Sequence, residues 1–381
     1  MTAPPHPLVA RAGRLAAEVL APQAERVDQE GVPASSIEAL KRSGLLGVSA
    51  PVAYGGSAAP AAVVRETAEI LAGACCSTWF VQAQHHTPVL TLAGAGLPLR
   101  ERLLGPLARG ELLSGVAYAQ LRAYPRVPVR VSRERGGWRF DGTVPWYTGW
   151  GLNDVMLLAG VTDDAEALFA FTEAREQPGL RPSPPMRLAA LTASRTVSLE
   201  LDGLWLPDDA VALRTPYETW AATDRPKNTN VSPAVFGVTA AALGLLDTDE
   251  SARETARVLR ARLGEVRRRA YELADHPVPG ERIEERLAAK TLAYDLMRAA
   301  TTAAVVAGGG RAMDLRGPAQ RLAREGMFLL VQGQTAAVRA AHLAALGTPG
   351  PAGAPGTPRP VGTPGAPGPV SAPGAPGPVG A

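Results

Sequence analysis

Apolar residues return at every third or fourth position from Leu8 to about Gly110, in LVARAGRLAAEVLAPQAERV, SSIEALKRSGLLG and AAVVRETAEILAGA. That is the period of helices that bury one face. Ser35 or Ser36 stands where an N-cap belongs, and Gly44 and Pro51 punctuate the pattern before the turn segment PVAYGG. Between Leu113 and about Leu213 the period changes. VPVRVSRERGGWRFDGTVPWYTG, DVMLLAGV, ALFAFT and RTVSLELDGLWL are of strand length and are separated by GG, DG and DD turns. From Ala234 three long alanine-rich stretches regain the helical period and end near Leu346, as in an antiparallel bundle. The chain is therefore expected to be α+β and mainly α: a helical domain over 1–112, a β domain over 113–215 and a helical bundle over 216–346.

After Leu346 glycine falls at every third place from Gly347 to Gly380, except at Arg359 and Ser371. This is the collagen repeat with two interruptions, and only glycine fits the axis of a triple helix. The expectation for 347–381 is a disordered Pro/Gly tail.

Composition narrows the classes of function. Hydrophobic residues make up 46% of the 381 and charged residues 20%, the balance of a globular protein with a substantial core. The 39 Lys and Arg against 36 Asp and Glu leave a net charge of only +3 and alternate along the chain, which argues against a nucleic-acid partner. The densest basic run, Arg257 to Arg269, is either a solvated helix face or a dock for an anionic ligand. Cys75 and Cys76 are adjacent, so a structural bridge between them is disfavoured and both are expected as small buried hydrophobes. No metal site is expected. The N-terminus lacks the pattern of a secretory signal and no apolar run in the sequence reaches membrane-spanning length, so a cytoplasmic protein without a membrane partner is expected.

Candidate chemistry starts at VPWYTGWGLND, Val144 to Asp154, which gathers two tryptophans, a tyrosine and a threonine in a chain only 5% aromatic. Such a cluster either fills a β core or offers a face to a flat ligand. Alternation places Trp146 and Thr148 on one face, with Tyr147 and Trp150 off it. His85 and His86 either face a cavity and titrate near neutral pH, or one satisfies helix backbone while the other is solvated.

Taken together, the motifs resemble the acyl-CoA dehydrogenase superfamily over roughly Leu8 to Leu346. VPASSIEALKRSGLLGVSAPVAYGG is similar to the family stretch in which a helix leads through Gly-Leu-hydrophobic-Gly to Pro-x-x-Tyr-Gly-Gly, here Pro51, Tyr54, Gly55 and Gly56. GGWRFDGTVPWYTGWGLND resembles the family strand that carries a Trp and a Thr, with Asp141, Gly142, Trp146, Thr148 and Asp154 in corresponding places. RTVSLELDGLWLPDD resembles the strand leading to the third domain, and AALGLLDTDESARETARVLRARLG the first long helix of that domain. AGGGRAM is similar to the glycine-rich stretch near the dinucleotide, and QRLAREGMFLLVQGQTAAVRAAHLA to the last helices, with Arg324 and Thr335 in place and Glu325 for an aspartate.

The resemblance implies an N-terminal helical domain, a central β domain, a C-terminal helical bundle and FAD bound across the interface of a homodimer or homotetramer. Trp146 and Thr148 would meet the flavin ring, Arg260 a neighbour's pyrophosphate, and Gly308, Gly309 and Thr335 would lie near the dinucleotide. Aromatic neighbours, fixed hydrogen bonds and a planar guanidinium suit those tasks.

The family's catalytic glutamate has no counterpart: its seat falls on Gln332 or Gly333, and NVSPAVFGVTAAALG, Asn230 to Gly244, holds no Asp or Glu for the alternative seat. The catalytic residue is left unassigned, with Asp224 and Glu218 as acids on an upstream loop. YAQL, Tyr118 to Leu121, stands where the family has Thr-Glu-Pro, which implies a different substrate channel. The leading expectation is an FAD-dependent oxidoreductase acting on the CH-CH group of an acyl thioester, carried by CoA or a carrier protein, or on a related small molecule, with an electron acceptor as partner. The alternatives are a monooxygenase of the same fold that uses FMN or reduced flavin, oxygen and a flavin reductase, and an inactive flavin-binding or ligand-binding relative.

Overall fold

The computed structural model describes residues 4–347; the expected Pro/Gly tail, apart from Gly347, lies outside the described residues. Helices come first: α1 (Pro7–Leu15), α2 (Ala24–Glu30), α3 (Ala34–Ser43), α4 (Ala61–Ala74), α5 (Cys76–Ala83), α6 (His86–Ala93) and α7 (Leu97–Ala108). α1 buries Leu8, Val9, Ala12 and Leu15, the face its period predicts. The cap of α3 differs from expectation, because Pro33 is the N-cap and the helix begins at Ala34. Ser36 lies inside the first turn, buried, where its Oγ accepts from Gln23 Nε2 at 2.8 Å. The tyrosine of the Pro-x-x-Tyr-Gly-Gly turn donates from its hydroxyl to Glu101 on α7 at 2.6 Å, so that motif ties the turn to a helix.

The strands follow as β1 (Ser114–Ala117), β2 (Val129–Glu134), β3 (Gly137–Tyr147), β4 (Val155–Thr162), β5 (Glu166–Glu173), β6 (Leu180–Pro182), β7 (Val197–Pro207) and β8 (Val211–Pro216). They form one sheet in the order β6-β7-β3-β2-β4-β5-β8, with β1 also paired to β4. β1 and β2 run parallel to β4 and the other pairs are antiparallel. Packing on both faces explains the unbroken apolar run of β4. Leu157, Ala159 and Val161 pack on Val89, Leu92 and Leu107 of α6 and α7, while Met156 and Leu158 face Phe140, Tyr147 and Leu199. A strand covered on both sides has no polar face to show in its sequence.

The chain then closes with α8 (Tyr217–Thr229), α9 (Pro233–Leu246), α10 (Arg253–Ala274), α11 (Ile283–Gly308), α12 (Pro318–Leu329) and α13 (Ala336–Gly347). α8 begins directly after β8 and was not legible as a helix, since Pro226 lies inside it and its composition is polar. The stretch Tyr217–Leu246 reaches a mean hydropathy of 1.4 over its most apolar window, enough by length and composition for a membrane span, contrary to the sequence expectation. It is 61% buried within the protein over that window. α9 packs on α4, α10, α11 and α12, as a core helix does. It crosses α4 backbone to backbone: a Cβ on Gly237 would stand 2.1 Å from the Glu69 carbonyl oxygen. Only a residue without a side chain permits that approach. One continuous apolar core joins the first helices to this bundle, through Leu20, Leu40 and Leu71 on one side and Phe236, Leu243 and Met297 on the other.

Candidate functional site

The aromatic cluster at the end of β3 divides between core and surface. Register shifts interrupt the β3–β7 ladder between Phe140 and Gly142 and again between Val144 and Tyr147. The second irregularity turns Tyr147 fully inward and leaves Trp146 54% exposed. Thr148 lies just beyond the strand and is buried, so Trp146 and Thr148 do not share the face that simple alternation predicts. The strand's period of two holds only while the ladder holds, and here the chain leaves it at Gly149 (φ 86).

Behind Thr148 is a small polar core. Asn153 Nδ2 donates to the Tyr147 hydroxyl and to the Thr148 carbonyl, both at 2.9 Å. Burial pushes the Tyr147 phenol up, so it stays neutral. Gly115 on β1 makes room for this pair, since a Cβ there would come within 2.4 Å of Asn153 Nδ2 and 2.7 Å of the Tyr147 oxygen. Trp150 completes the wall, edge-on to Tyr147 with ring centroids 5.9 Å apart. On the other side Thr148 Oγ1 meets Thr196 Oγ1 at 3.2 Å, and Thr196 Oγ1 meets Ser194 Oγ at 3.2 Å.

Ser194 and Thr196 were missed in the sequence, where RTVSLELDGLWL marked only a boundary. The available signal was the dense small-polar run TASRT just ahead of the strand. Leu191, just before it, and Arg195, within it, lie in the left-handed region at φ 57 and φ 50. Non-glycine residues are held there only where the surroundings enforce it, and such strain gathers at functional sites. The enforcement is visible: Gly149 N–H donates to the Ser194 carbonyl at 2.8 Å and Trp150 N–H to the Arg195 carbonyl at 3.2 Å.

The other predicted residues sit on the bundle. Arg260, on α10, donates to Asp247 at 2.6 Å and is half exposed. Gly308 ends α11 and Gly309 (φ 55) opens the turn after it; a Cβ on Gly309 or Gly310 would meet nothing within 4 Å. The Thr335 Oγ1 accepts from Val338 N–H at 3.3 Å, at the start of α13. The principal contacts of β3 are with β1, β2, β7 and the adjoining turns, whereas α11 packs on α8, α9, α10, α12 and α13. Within one chain Trp146 and Thr148 lie at the rim of the sheet, Arg260 on α10 and Gly308 and Gly309 at the end of α11, while Thr335 starts α13 next to the turn beside Asn228, which Lys290 of α11 also contacts. Along the bundle, Ala252, Thr302, Val306, Ala323, Met327 and Leu330 line an open groove of about 870 Å³.

The two candidate acids are not on a loop. Both are on α8, where Asp224 is locked in a bidentate pair with Arg122, at 2.7 and 2.8 Å, and also accepts from Asn228 Nδ2 at 3.1 Å. Glu218 is exposed and lies 3.6 Å from Arg225. Arg122 belongs to the short turn of Ala119–Ala123 that carries the divergent YAQL segment. Gln120 pins that turn by donating to the carbonyls of Ala117 and Ala159, at 3.0 and 2.8 Å. Gln332 and Gly333 (φ 62) occupy the turn between α12 and α13, beside Asn228.

The remaining candidates are structural. Neither histidine is solvated as expected: His85 is fully buried and its Nδ1 accepts from Ser114 N–H at 3.1 Å, while His86 is half-buried with its Nε2 2.7 Å from Gln82 Nε2. Burial, with His86 beside it, lowers the His85 pKa to about 3. Arg324 pairs with Asp28, and Glu325 is buried against Arg321 at 2.9 Å. Asp154 joins Lys41 to the Leu113 N–H, at 2.8 and 2.7 Å, and Asp141 accepts from Gly203 N–H at 2.8 Å. Cys75 and Cys76 are free and buried.

A mixed α+β fold, with helices against one face of a central sheet and a helical bundle after it, is known from comparison. Residues 6–111 match the family model described as Acyl-CoA dehydrogenase, N-terminal domain. The chain is similar to butyryl-CoA dehydrogenase from Megasphaera elsdenii, with a TM-score of 0.77 at 17% identity, covering 91% of this chain and 100% of that one. It is also similar to a glutaryl-CoA dehydrogenase from Mycobacterium smegmatis in complex with FADH2, with a TM-score of 0.75 at 18% identity over 89% of this chain and 93% of that one. A third match is dibenzothiophene monooxygenase from Paenibacillus sp. A11-2, with a TM-score of 0.73 at 18% identity over 90% and 97%. At these identities the matches show an acyl-CoA dehydrogenase-like fold, and the family model's match is to the N-terminal segment alone. No curated protein sequence matches it.

Proposed function

We propose that the chain is a flavin-dependent oxidoreductase that holds FAD between the rim of its central sheet and the helical bundle of a second copy of itself. The observation that carries this reading is an exposed indole, Trp146, two residues from the buried Thr148, whose hydroxyl is held by Thr196, at the end of β3. An exposed indole suits a flat aromatic ring, and a fixed hydroxyl suits its polar edge. Arg260 fits a pyrophosphate once Asp247 releases it, and the open backbone at Gly309 and Gly310 lets a phosphate approach. Because these residues do not meet Trp146 within one chain, the site needs a homodimer or homotetramer. The exposed Val306, Met327 and Val331 around the bundle groove support such an assembly. A monomer by size exclusion at micromolar concentration would remove the role given to Arg260.

Bound flavin supplies reversible hydride acceptance or, when reduced, the activation of oxygen. The residues present favour the second use. Gln332 and Gly333 cannot take a proton from carbon at the usual seat, and Asp224 is committed to Arg122. A reaction between reduced flavin and oxygen needs no such base, so monooxygenation of a small molecule, with a flavin reductase as partner, is the reading the geometry supports best. Dehydrogenation of an acyl-CoA or carrier-protein thioester, with an electron acceptor, is the second reading. It is favoured by the match of residues 6–111 to the dehydrogenase N-terminal domain. The experiment that separates them is the visible spectrum of the purified protein, followed by anaerobic addition of a panel of acyl-CoA esters. Bleaching of a flavin band establishes the dehydrogenase; no bleaching, with oxygen consumption only when reduced flavin is supplied, establishes the monooxygenase.

A further inference from the structure

The three hydroxyls of Ser194, Thr196 and Thr148 carry one proton each, and their contacts decide where each proton goes. Ser194 Oγ lies 2.8 Å from the Leu191 carbonyl oxygen. A carbonyl has no proton to give, so that bond consumes the proton of Ser194. The Ser194 oxygen can then only accept, and its 3.2 Å contact with Thr196 Oγ1 is a hydrogen bond only if Thr196 donates. With its own proton spent, Thr196 can only accept across the 3.2 Å contact to Thr148, which must therefore donate inward. All three residues are buried, at 0%, 3% and 8% exposure, so water does not scramble the order. The opposite order breaks the shortest bond of the chain or sets two proton-less oxygens against each other, a cost of about 1–3 kcal/mol in a buried site. The bonds from Gly149 and Trp150 to the Ser194 and Arg195 carbonyls hold the segment, with its left-handed Leu191 and Arg195, against relaxing into it.

We infer that this hydroxyl chain is a positioning device that makes Thr148 present lone pairs outward and so favours reduced over oxidised flavin at the site. The inference rests on the reading that Thr148 meets the redox-active edge of the flavin. The nitrogen there accepts hydrogen bonds in the oxidised ring and bears a proton in the reduced one. An acceptor facing it pairs with the reduced ring and opposes the oxidised ring. Ser194 and Thr196 touch no ligand themselves; they set the direction of the Thr148 hydroxyl.

The test is the ratio of dissociation constants for oxidised FAD and for dithionite-reduced FAD, measured on the full chain by tryptophan fluorescence quenching, the second under anaerobic conditions. The wild type is expected to bind reduced FAD more tightly. Thr196→Val removes the acceptor for Thr148, frees its proton to turn outward, and is expected to lower the oxidised-to-reduced ratio about tenfold, the scale of one hydrogen bond. For this two-electron couple the midpoint potential of bound flavin then falls by about 30 mV. Thr196→Ser is expected to restore the wild-type ratio. Should Thr196→Val fold poorly, Ser194→Ala tests the same point, because the Thr196 proton becomes free to turn toward Thr148. An unchanged ratio in variants that still bind FAD overturns the proton order while leaving the flavin reading intact. Wild-type protein that binds FAD in neither state overturns the flavin reading, and this inference with it.

Discussion

Replacing Asp224 by asparagine separates two roles that one carboxylate on α8 has been given. The structure makes it half of a bridge between α8 and the turn of Ala119–Ala123, with two short bonds to Arg122 and a third from Asn228. The Arg122 side chain is 27% exposed and that of Asp224 13%. A fully buried pair that loses one partner costs about 3–5 kcal/mol, and an exposed pair about 0–1 kcal/mol. For this mostly buried, bidentate pair about 2 kcal/mol is expected, because the neutral amide of Asp224→Asn keeps some of the contacts but leaves the guanidinium without its counter-charge. That is a fall of about 4 °C in Tm for a chain of this size. The assay is urea and thermal unfolding of the wild type, Asp224→Asn, Arg122→Met and the double variant, with flavin content measured in each. A coupling of at least about 1 kcal/mol between the two positions is expected, with flavin retained throughout. If Asp224→Asn leaves stability untouched and abolishes substrate-driven flavin reduction, Asp224 is the displaced base and the argument from its pairing is wrong.

Trp146→Ala is expected to weaken flavin binding by about ten- to a hundredfold, the range for a lost aromatic stacking partner. Circular dichroism should not change, since the indole is half in solvent; unchanged flavin affinity would refute the stacking role. His85 is held neutral by burial and by the Ser114 N–H, with a pKa of about 3. As pH falls below about 6.5 the unfolded chain takes a proton that the folded chain refuses, so this stability is present above 6.5 and is lost as pH drops toward 3, at about 1.4 kcal/mol per pH unit. His85→Gln should flatten the pH dependence of the urea midpoint between pH 6 and 4, and an unaltered slope would show that His85 is not its source. Gly237→Ala drives a Cβ into the Glu69 carbonyl and should cost about 1–3 kcal/mol, whereas Gly244→Ala on the same helix meets nothing within 4 Å and should be neutral or stabilising. Equal effects at the two positions would contradict the close crossing of α4 and α9.

Much of the architecture could be read in advance because it is written in local periods. The helices before Gly110 and after Pro233 bury the faces that their spacing predicts, and the strands stop at their glycine and aspartate turns. α8 escaped because Pro226 and a polar composition mimic a loop, and only its contacts with β8, β5 and α11 make a helix of it. The motif matches were legible for a related reason. Tyr54, Asp141 and Asp154 make bonds that hold turns and elements together, so their spacing follows from the fold.

The candidate site was half legible. Trp146 and Thr148 stand out in a chain poor in aromatics, yet their orientations depend on a register shift and a turn that no period encodes. Ser194 and Thr196 lie more than forty residues away and reach Thr148 only because β3 and β7 pair. The same holds for Asp224 and Arg122, 102 residues apart. The sequence alone determined most of the segments that become helix or strand, α8 excepted, and, through the resemblance, that Gln332 or Gly333 stands where a glutamate is usual, because these depend on nearest neighbours and on identity. The tertiary structure decided which side chains face each other, which acid is neutralised and which way three buried protons point, because those depend on distances between residues remote in the chain.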